Sequence, residues 1–336
     1  MEASEGNKGA AEAAQPLVSV VIPTHRRETR LGFALDALAA QTIDASRFEV
    51  VVVRSPDTEP RAEPPAGLRV RFLESPEANI SVQRNIGWRA ATAPFVAFTD
   101  DDCRPAPDWL ERLLEGFGTT DGATADDRFL YGRTEPDPDE GHLNYGIART
   151  IHVIGPDRWF RTCNIAYPRA LLERLGGFDE ALAFHCEDTD LGLRALAEGA
   201  DGLFCDEAIV WHAVHVRSFG QAVRDATRLS GEPGLLARWP QQRDELYLRT
   251  FVSEEHAKVV LALAGVLLWR RSRALAALAA YPYVMGRVAK RLRNPNPLSP
   301  IGAFRLAADI AVEGALDTIE VVARVRSSAA SRELVL

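Results

Sequence analysis

The feature that most constrains the fold is an alternation of short apolar runs with helix-like segments in the first third of the chain. Residues 18–23, 48–53 and 95–99 are nearly continuous apolar runs of strand length, as expected of parallel strands buried on both faces. Helical spacing of apolar residues occupies 31–41 and 81–91. Strands that alternate with helices predict a mostly parallel, Rossmann-like α/β sheet flanked by helices.

The rest of the chain predicts shorter elements and then a helical tail. Strands are expected at 68–73, 128–132 and 209–211, and helices at 109–117, 168–175 and 188–198. Beyond Ser218 helical patterns continue to the C terminus. We therefore expect an unstructured segment at 1–15, a principal domain at 16–217 and a helical extension at 218–336.

Charge and cysteine usage narrow the class of protein. The chain has 39 basic and 47 acidic side chains, a net charge of −8, which argues against a nucleic-acid partner. Its four cysteines are far apart and form no C-x-x-C motif, so we expect reduced thiols. The first 15 residues lack the apolar core of a signal peptide. Together these features predict a cytoplasmic protein.

The helical extension contains a basic, apolar region. Residues 257–308 include nine Lys and Arg side chains and no Asp or Glu. Two apolar runs, 259–269 and 274–286, flank a cluster of three arginines. Each run is shorter than the roughly 18 residues of a membrane-spanning helix. Two helices on an anionic membrane surface fit this pattern; a helical pair packed on the main domain is the alternative.

Three consecutive carboxylates follow the strand predicted at 95–99. This acidic triplet (residues 100–102) lies at the carboxyl end of a parallel strand, which is where open sheets bind ligands. Asp100 and Asp102 are two residues apart, so they can point to one side while Asp101 points to the other. A divalent cation that also binds a diphosphate would neutralise the triplet. An acidic turn that caps the next helix is the simpler alternative.

A second set of candidate groups lies about 85 residues further along. The Glu-Asp pair, Glu187 and Asp188, precedes an apolar-periodic helix, so Asp188 is either an N-cap or a general base. His212 closes the strand predicted at 209–211 and could complete a mixed Asp/His metal site. His215 is its competitor, and a purely structural histidine is the alternative to both.

Taken in order, these segments resemble a family 2 glycosyltransferase with the GT-A fold. The resemblance covers residues 17–216. The segments that carry it are VSVVIPTHRR (18–27), QRNIGW (83–88), FTDDDCRP (98–105), CNIAYPRALLERLGGFDE (163–180), EDTDLGLR (187–194) and VWH (210–212). Each is weak alone, but their order along the chain is specific. The resemblance implies transfer of a sugar from a nucleoside diphosphate donor to an acceptor hydroxyl, with inversion at the anomeric carbon.

The resemblance also implies roles for individual residues. Asp100 and Asp102 would be the ends of the D-x-D motif, Asp100 beside the ribose and Asp102 on a Mg²⁺ or Mn²⁺ ion. His212 would be a further metal ligand, Asp188 the catalytic base, and Glu187 the residue that orients acceptor or donor sugar. Positions in nucleotide- and sugar-binding segments are Pro23, Thr24, Arg26, Arg84, Asn85, Asp101, Asn164 and Gly177.

One segment departs from the family. Relatives commonly have Asp-Asp-Gly-Ser after the second strand, and its acidic residues contact the nucleotide base. Here the run is Val-Arg-Ser-Pro-Asp at 53–57, so Asp57 is the candidate substitute. We expect a UDP-sugar donor, with GDP- and TDP-sugars as alternatives. The acceptor is expected to be a glycan, a lipid-linked molecule or a natural product, in keeping with work at the cell envelope.

Other functions fit less well. A D-x-D-x-T/V phosphohydrolase has a small or apolar residue where this chain has Arg104. Sugar nucleotidylyltransferases and dinucleotide oxidoreductases have glycine-rich loops after the first strand, and residues 24–27 contain no glycine. A catalytically degenerate relative that acts as a nucleotide-binding or membrane-recruited module is the non-enzymatic alternative.

Overall fold

The structure is a computed structural model that describes residues 15–56, 62–118, 128–144, 146–182, 186–228, 231–292 and 300–336. Within these residues eight strands form one sheet. The strands are β1 (Val18–Thr24), β2 (Phe48–Arg54), β3 (Val70–Glu74), β4 (Phe95–Phe98), β5 (Cys103–Pro105), β6 (Arg128–Pro136), β7 (Ile165–Pro168) and β8 (Asp201–His212). The segment expected to be unstructured, 1–15, lies outside the described residues except for Gln15.

Helices cover the sheet and make up the C-terminal part of the chain. Those within the sheet region are α1 (Glu28–Ala39), α2 (Ile80–Ala90), α3 (Trp109–Gly116), α4 (Arg169–Leu175) and α5 (Glu187–Ala197). Those that follow it are α6 (Phe219–Arg228), α7 (Glu232–Arg238), α8 (Glu254–Leu268), α9 (Arg273–Leu292) and α10 (Pro300–Ser331). No helix in the described part of the chain combines the length and the apolar character that a membrane span requires.

The order of the strands determines where a ligand can bind. The sheet runs β3-β2-β1-β4-β7-β6-β8-β5, and the first four strands are parallel. From β1 the chain crosses to β2 and β3 on one side and later returns to β4 on the other. This change of direction between β1 and β4 is a topological switch point, which opens a crevice at their carboxyl ends.

Apolar side chains on both faces of the sheet form the core. All seven residues of β1 and all seven of β2 are buried, as expected of central parallel strands. On one face Leu31, Leu35 and Leu38 of α1 pack on the sheet, and on the other face Trp88 of α2 does so. The α/β interpretation is thus confirmed, and the strands and helices expected up to residue 99 lie close to their predicted positions.

The second half of the sheet differs from expectation in three ways. Strands β5 and β7, of three and four residues, were not predicted; such short segments have no measurable period. The strand expected at 209–211 is the end of β8, which begins at Asp201. Finally, β7 is antiparallel to both β4 and β6, so the sheet is mixed beyond β4.

The C-terminal helices pack on the sheet region through a few specific contacts. Arg238 and Trp239, at the end of α7, both donate to the buried Asp190 of α5, at 3.0 and 2.9 Å. At the C terminus Val335 is fully buried beside Leu236 of α7, in a cluster that also contacts Trp159 of the sheet region. The boundary at residue 217 between a catalytic domain and an extension remains a prediction.

Candidate functional site

The ends of β1 and β4 are joined across the switch point. The hydroxyl of Thr24 donates to a carboxylate oxygen of Asp101 at 2.7 Å, and Arg27 donates to the other oxygen at 3.2 Å. Asp101 is almost completely buried, so the protein itself uses this carboxylate. Burial, and after it the charge of Asp102, raise the pKa of Asp101 to about 7. Asp101, the middle residue of the triplet, therefore links the end of β1 to the end of β4 across the crevice.

Asp102 lies at the centre of a group of metal-ligand atoms. One oxygen lies 2.8 Å from Nε2 of His215, and the other lies 3.7 Å from Nε2 of His212. One ligand atom from each of the three residues falls within 4.8 Å of the others. Two imidazoles and a carboxylate form a donor set that suits a divalent transition-metal cation. His212 and His215 were considered competitors, but the structure brings both to Asp102.

The His212 ring is held by groups around its other nitrogen. Its Nδ1 lies 2.8 Å from the carbonyl oxygen of Ala213 and 3.2 Å from the hydroxyl of Thr150. In the neutral ring that a cation would bind, Nδ1 carries the proton and donates to that carbonyl, which leaves the lone pair of Nε2 for the cation. A backbone partner of this kind commonly orients a metal-binding histidine.

Charges around Asp102 favour its ionised form. Burial raises the pKa of this carboxyl, but the hydrogen bond from His215 and the charges of His212 and Arg27 outweigh burial and hold the pKa below its usual range. Arg27 also forms an ion pair with Asp102. The carboxylate is therefore ionised at neutral pH, the form that a cation binds.

The two acidic clusters of the sequence meet at one buried guanidinium. Arg84 of α2 donates to Asp100 at 3.0 Å and to Glu187 at 2.7 Å. One oxygen of Asp100 also lies within 4.8 Å of an oxygen of Asp102. The acidic triplet and the Glu-Asp pair therefore face a common crevice, although they are about 85 residues apart in the chain.

Asp188 is not the N-cap of its helix. Helix α5 begins at Glu187 and its N-cap is Cys186, which has a left-handed backbone with φ +67°. Asp188 is partly exposed and accepts from the amide of Thr189 at 2.7 Å. Burial, and after it the charge of Glu187, raise the pKa of Asp188 to about 6. The N-cap alternative was therefore wrong.

Two of the expected sugar- or nucleotide-contacting residues are used inside the protein. Asn85 is buried; its amide donates to the carbonyl of Phe178 and to Glu180, and its oxygen accepts from Phe178 and Trp88. Gly177 has φ +80°, and a Cβ there would overlap the side chains of Asn85 and Trp88. Both residues therefore position the turn that follows α4.

Asn164 is a third such residue. It is buried, its amide donates to the carbonyls of Arg133 and Ala208 at 2.8 Å each, and its oxygen accepts from the Trp109 indole at 2.9 Å. With every amide hydrogen used, it links α3, β6 and β8 rather than facing a ligand.

The segments expected to hold the nucleotide lie at the ends of β1 and β2. Pro23 is buried within β1, whereas Arg26 is exposed with a left-handed φ of +57°, a backbone conformation that is often found at functional sites. At the end of β2 the guanidinium of Arg54 pairs with Glu28 and stacks on Phe72, 3.9 Å from the ring centre. Asp57 lies outside the described residues.

Two polar side chains of the crevice, Arg27 and Gln83, were not predicted from the sequence. Arg27 is adjacent to Arg26 and was not singled out, because nothing in a run of two arginines indicates which one contacts the triplet. Gln83 donates to the backbone carbonyls of Thr24 and Val53 at 3.0 Å each, so it links the ends of β1 and β2. The sequence feature that could have indicated Gln83 was its position in the QRNIGW segment.

Comparison with known proteins identifies the family. Residues 19–179 match the family described as glycosyl transferase family 2. The matched segment includes β1 to β4, the acidic triplet and Arg84. Residues 19–179 are a family 2 glycosyltransferase domain. The resemblance inferred from the ordered motifs is confirmed.

Relatives of this chain include enzymes from bacteria and archaea. The chain is 29% identical over 241 residues to validoxylamine A glucosyltransferase of Streptomyces hygroscopicus subsp. limoneus, an alignment that covers 60% of this chain and 53% of that protein. It is 25% identical over 241 residues to glycosyltransferase AglE of Haloferax volcanii, covering 69% and 77%. The chain thus spans about half the length of the Streptomyces relative.

A solved structure shows the same fold. The mannosyltransferase PcManGT from Pyrobaculum calidifontis, solved in complex with GDP-Man and Mn²⁺, superposes with a TM-score of 0.56 at 20% identity, covering 93% of this chain and 87% of that one. The chain therefore has the GT-A fold with a helical C-terminal region.

Proposed function

We propose that this protein is a metal-dependent, inverting glycosyltransferase that moves a sugar from a nucleoside diphosphate sugar to an acceptor hydroxyl. The observation that carries the proposal is the contact of Arg84 with both Asp100 and Glu187. It joins a cation-binding crevice at the switch point to a partly exposed carboxylate, Asp188, at the start of α5. These are the two components that a single displacement at a sugar phosphate needs.

A divalent cation fits the residues present. Asp102, His212 and His215 would hold it, and Asp100 offers a further oxygen close to Asp102. Buried Cys103 is a poorer ligand because burial raises the pKa of its thiol. When bound, the cation supplies positive charge to offset the negative charge of the leaving diphosphate. The Mn²⁺ in the PcManGT structure supports this choice, with Mg²⁺ as the alternative.

Asp188 accounts for the proton of the acceptor hydroxyl, and Arg84 accounts for the negative charge of the leaving diphosphate. The acceptor hydroxyl gives its proton to Asp188 as its oxygen forms a bond to the anomeric carbon. The bond from that carbon to the diphosphate oxygen breaks, and its electron pair leaves with the diphosphate. Arg84 stabilises this charge electrostatically. Attack from the opposite side inverts the anomeric centre, so one base is enough.

The donor is proposed as a UDP-sugar on the family resemblance. The GDP-Man in the PcManGT structure keeps GDP-sugars open, and TDP-sugars remain a third choice. The acceptor is proposed to be a hydroxyl of a glycan, a lipid-linked molecule or a natural product. Validoxylamine A glucosyltransferase gives the natural-product class a specific precedent by name. We propose a cytoplasmic location for this reaction.

The test is a thermal-shift panel of nucleoside diphosphate sugars with and without Mn²⁺, followed by a donor-hydrolysis assay. A ligand at 100 times its Kd stabilises the fold by about 2.7 kcal/mol, so the donor should raise the Tm by a few degrees only when metal is present. NMR of the released sugar should show the anomer opposite to that of the donor. Stabilisation without hydrolysis or transfer would favour the degenerate binding module.

A further inference from the structure

Helices α8 and α9 form a hairpin whose packing is the reverse of that in a water-soluble protein. Small residues face each other between the two helices: a Cβ on Gly265 would lie 2.8 Å from the Cβ of Ala279 and 3.0 Å from the carbonyl of Ala276. Ala276 and Gly265 are buried, while their larger neighbours point outward. Small residues at the helix interface and large apolar ones outside are typical of helices that pack in lipid.

The outward side of this hairpin is strongly apolar. Leu267 is 85% exposed, Leu278 67% and Trp269 56%. The other exposed large apolar residues of the two helices are Leu261, Leu263, Val266, Leu268, Leu275, Tyr281, Val284 and Met285. So many large apolar side chains exposed on one two-helix element exceed what a soluble surface carries without a partner.

The charges of the hairpin identify the kind of partner. Its tip, residues 269–272, together with the first residue of α9, carries the exposed arginines Arg270, Arg271 and Arg273. Residues 257–308 contain no Asp or Glu, so the apolar part of a second hairpin, beyond Glu254 and Glu255 at its base, offers no carboxylate to these arginines. Anionic lipid headgroups offer negative charge, and the acyl chains below them accept the apolar side chains.

The base of the hairpin, in contrast, is polar and attached to the rest of the protein. Lys258 pairs with Glu254 and Glu255 at 3.1 Å, and Arg287 pairs with Glu313 of α10 at 2.8 Å. Val259 and Tyr283 pack on α10. The base of the hairpin is thus held against α10 by ion pairs and apolar contacts.

We propose that the α8–α9 hairpin docks this protein on an anionic bilayer. The outward apolar side chains lie among the upper acyl chains, and the tip arginines bind the headgroups of acidic lipids. This proposal is independent of the proposed chemistry, since none of the residues involved belongs to the crevice.

The experiment is co-sedimentation of the full chain with vesicles of phosphatidylcholine alone or with 30% phosphatidylserine, about a typical acidic-lipid content. We expect binding to the phosphatidylserine vesicles. The double variant Leu267→Gln/Leu278→Gln should weaken it at least about tenfold, because two leucines lose their burial in lipid. Arg270→Gln/Arg271→Gln should weaken it roughly tenfold at low salt. Val325→Gln, at an exposed position of α10, is the matched control and should bind like the wild type.

Trp269 provides a second readout that does not depend on affinity. Brominated acyl chains should quench part of the tryptophan fluorescence of vesicle-bound protein, and Trp269→Phe should remove most of that quenching. Two results would overturn the proposal: equal sedimentation of the wild type and the leucine double variant, or a wild-type dimer that the same substitutions convert to a monomer without any vesicle binding. Circular dichroism of each variant confirms that it is folded.

Discussion

Individual residues around the crevice divide into those that could meet a ligand and those that hold them in place. The first group contains three residues whose metal-ligand atoms lie close together, Asp102, His212 and His215. It also contains Asp188, whose side chain is partly exposed. Asn85, with its neighbours in the turn before α5, is buried and uses its polar atoms within the protein. This division predicts which substitutions alter chemistry and which alter stability.

Replacing the proposed base tests the chemistry most directly. Asp188→Asn should lower turnover by about 1,000-fold, because the amide cannot accept the acceptor's proton. Donor affinity should change by no more than about threefold, since the side chain acts in the transition state. Turnover and isothermal titration of the donor measure the two effects. A donor affinity that falls as far as turnover would contradict the assignment.

The pKa of the same carboxyl predicts the pH dependence. A base must be ionised to act, and the pKa of Asp188 is raised to about 6. The rate should therefore fall as pH drops through about 6, rather than near 4 as for an ordinary aspartate. A pH profile of kcat/KM measures this, and the residual activity of Asp188→Asn should lack the same inflection. An inflection that persists in the variant belongs to another group.

The metal group is tested by removing its members one at a time. Asp102→Ala should abolish the gain in donor affinity that Mn²⁺ provides, because Asp102 is shared by both candidate ligand groups. His215→Ala should weaken it by about 10- to 100-fold. His142→Ala, at an exposed histidine in another segment, is the control. Donor binding that responds to Mn²⁺ equally in all three variants would exclude this site.

At the scale of elements, the turn between α4 and α5 determines where the Glu-Asp pair lies. Two consecutive glycines form it, Gly176 with φ +75° and Gly177 with φ +80°. Arg194 of α5 donates to the carbonyls of Leu175 and Gly177 at 2.8 and 2.6 Å. The turn and α5 are therefore connected, and they move together if the turn is disturbed.

The two glycines provide a matched pair of substitutions. Gly176→Ala meets no atom within 4 Å, so it should cost only the left-handed strain of about 1 kcal/mol. Gly177→Ala adds an overlap with buried Asn85 and Trp88 and should cost about 3 kcal/mol. Urea denaturation measures both. Equal losses of unfolding free energy would mean that the close packing at Gly177 is relieved without cost.

At the scale of the whole molecule, buried charged groups join the helices of the C-terminal extension to one another. Arg324 of α10 and Glu232 of α7 are both buried and lie 3.1 Å apart, and His256 of α8 lies 3.2 Å from the same guanidinium. Main-chain hydrogen bonds of 2.9 Å join Leu336 to Thr250 and Val252. Removal of residues 257–336 would therefore disrupt structure as well as any lipid contact, so point substitutions are the better test of membrane docking.

The contribution of the Arg324–Glu232 ion pair to the unfolding free energy can be measured. Arg324→Ala leaves the carboxylate of Glu232 buried without this partner and should lower the unfolding free energy by about 3 kcal/mol. Arg326→Ala, two residues along the same helix and exposed, should change it by less than about 0.5 kcal/mol. Urea titrations of both variants measure these changes in unfolding free energy. If the two variants are equally stable, α10 is not held by this ion pair.

The parallel half of the sheet follows from the sequence, because strands buried on both faces must be continuously apolar and that pattern is local. Residues of β1, β2 and β4 lie where the apolar runs predicted them. The ordered motifs also identified the family and the acidic residues. The short strands β5 and β7 were missed because their pairing with β8, β4 and β6 depends on distant partners.

Which polar groups meet, in contrast, depends on the tertiary fold. His215 reaches Asp102 across 113 residues of chain, and Arg84 reaches Glu187 across 103. No local period encodes such contacts, since they depend on long-range pairing, such as that of β5 with the end of β8, which puts Cys103 opposite His212. The same reason explains why Asn85, Asn164 and Gly177 proved to be internal supports: a motif indicates that a residue matters, whereas burial and hydrogen-bond partners determine what it does.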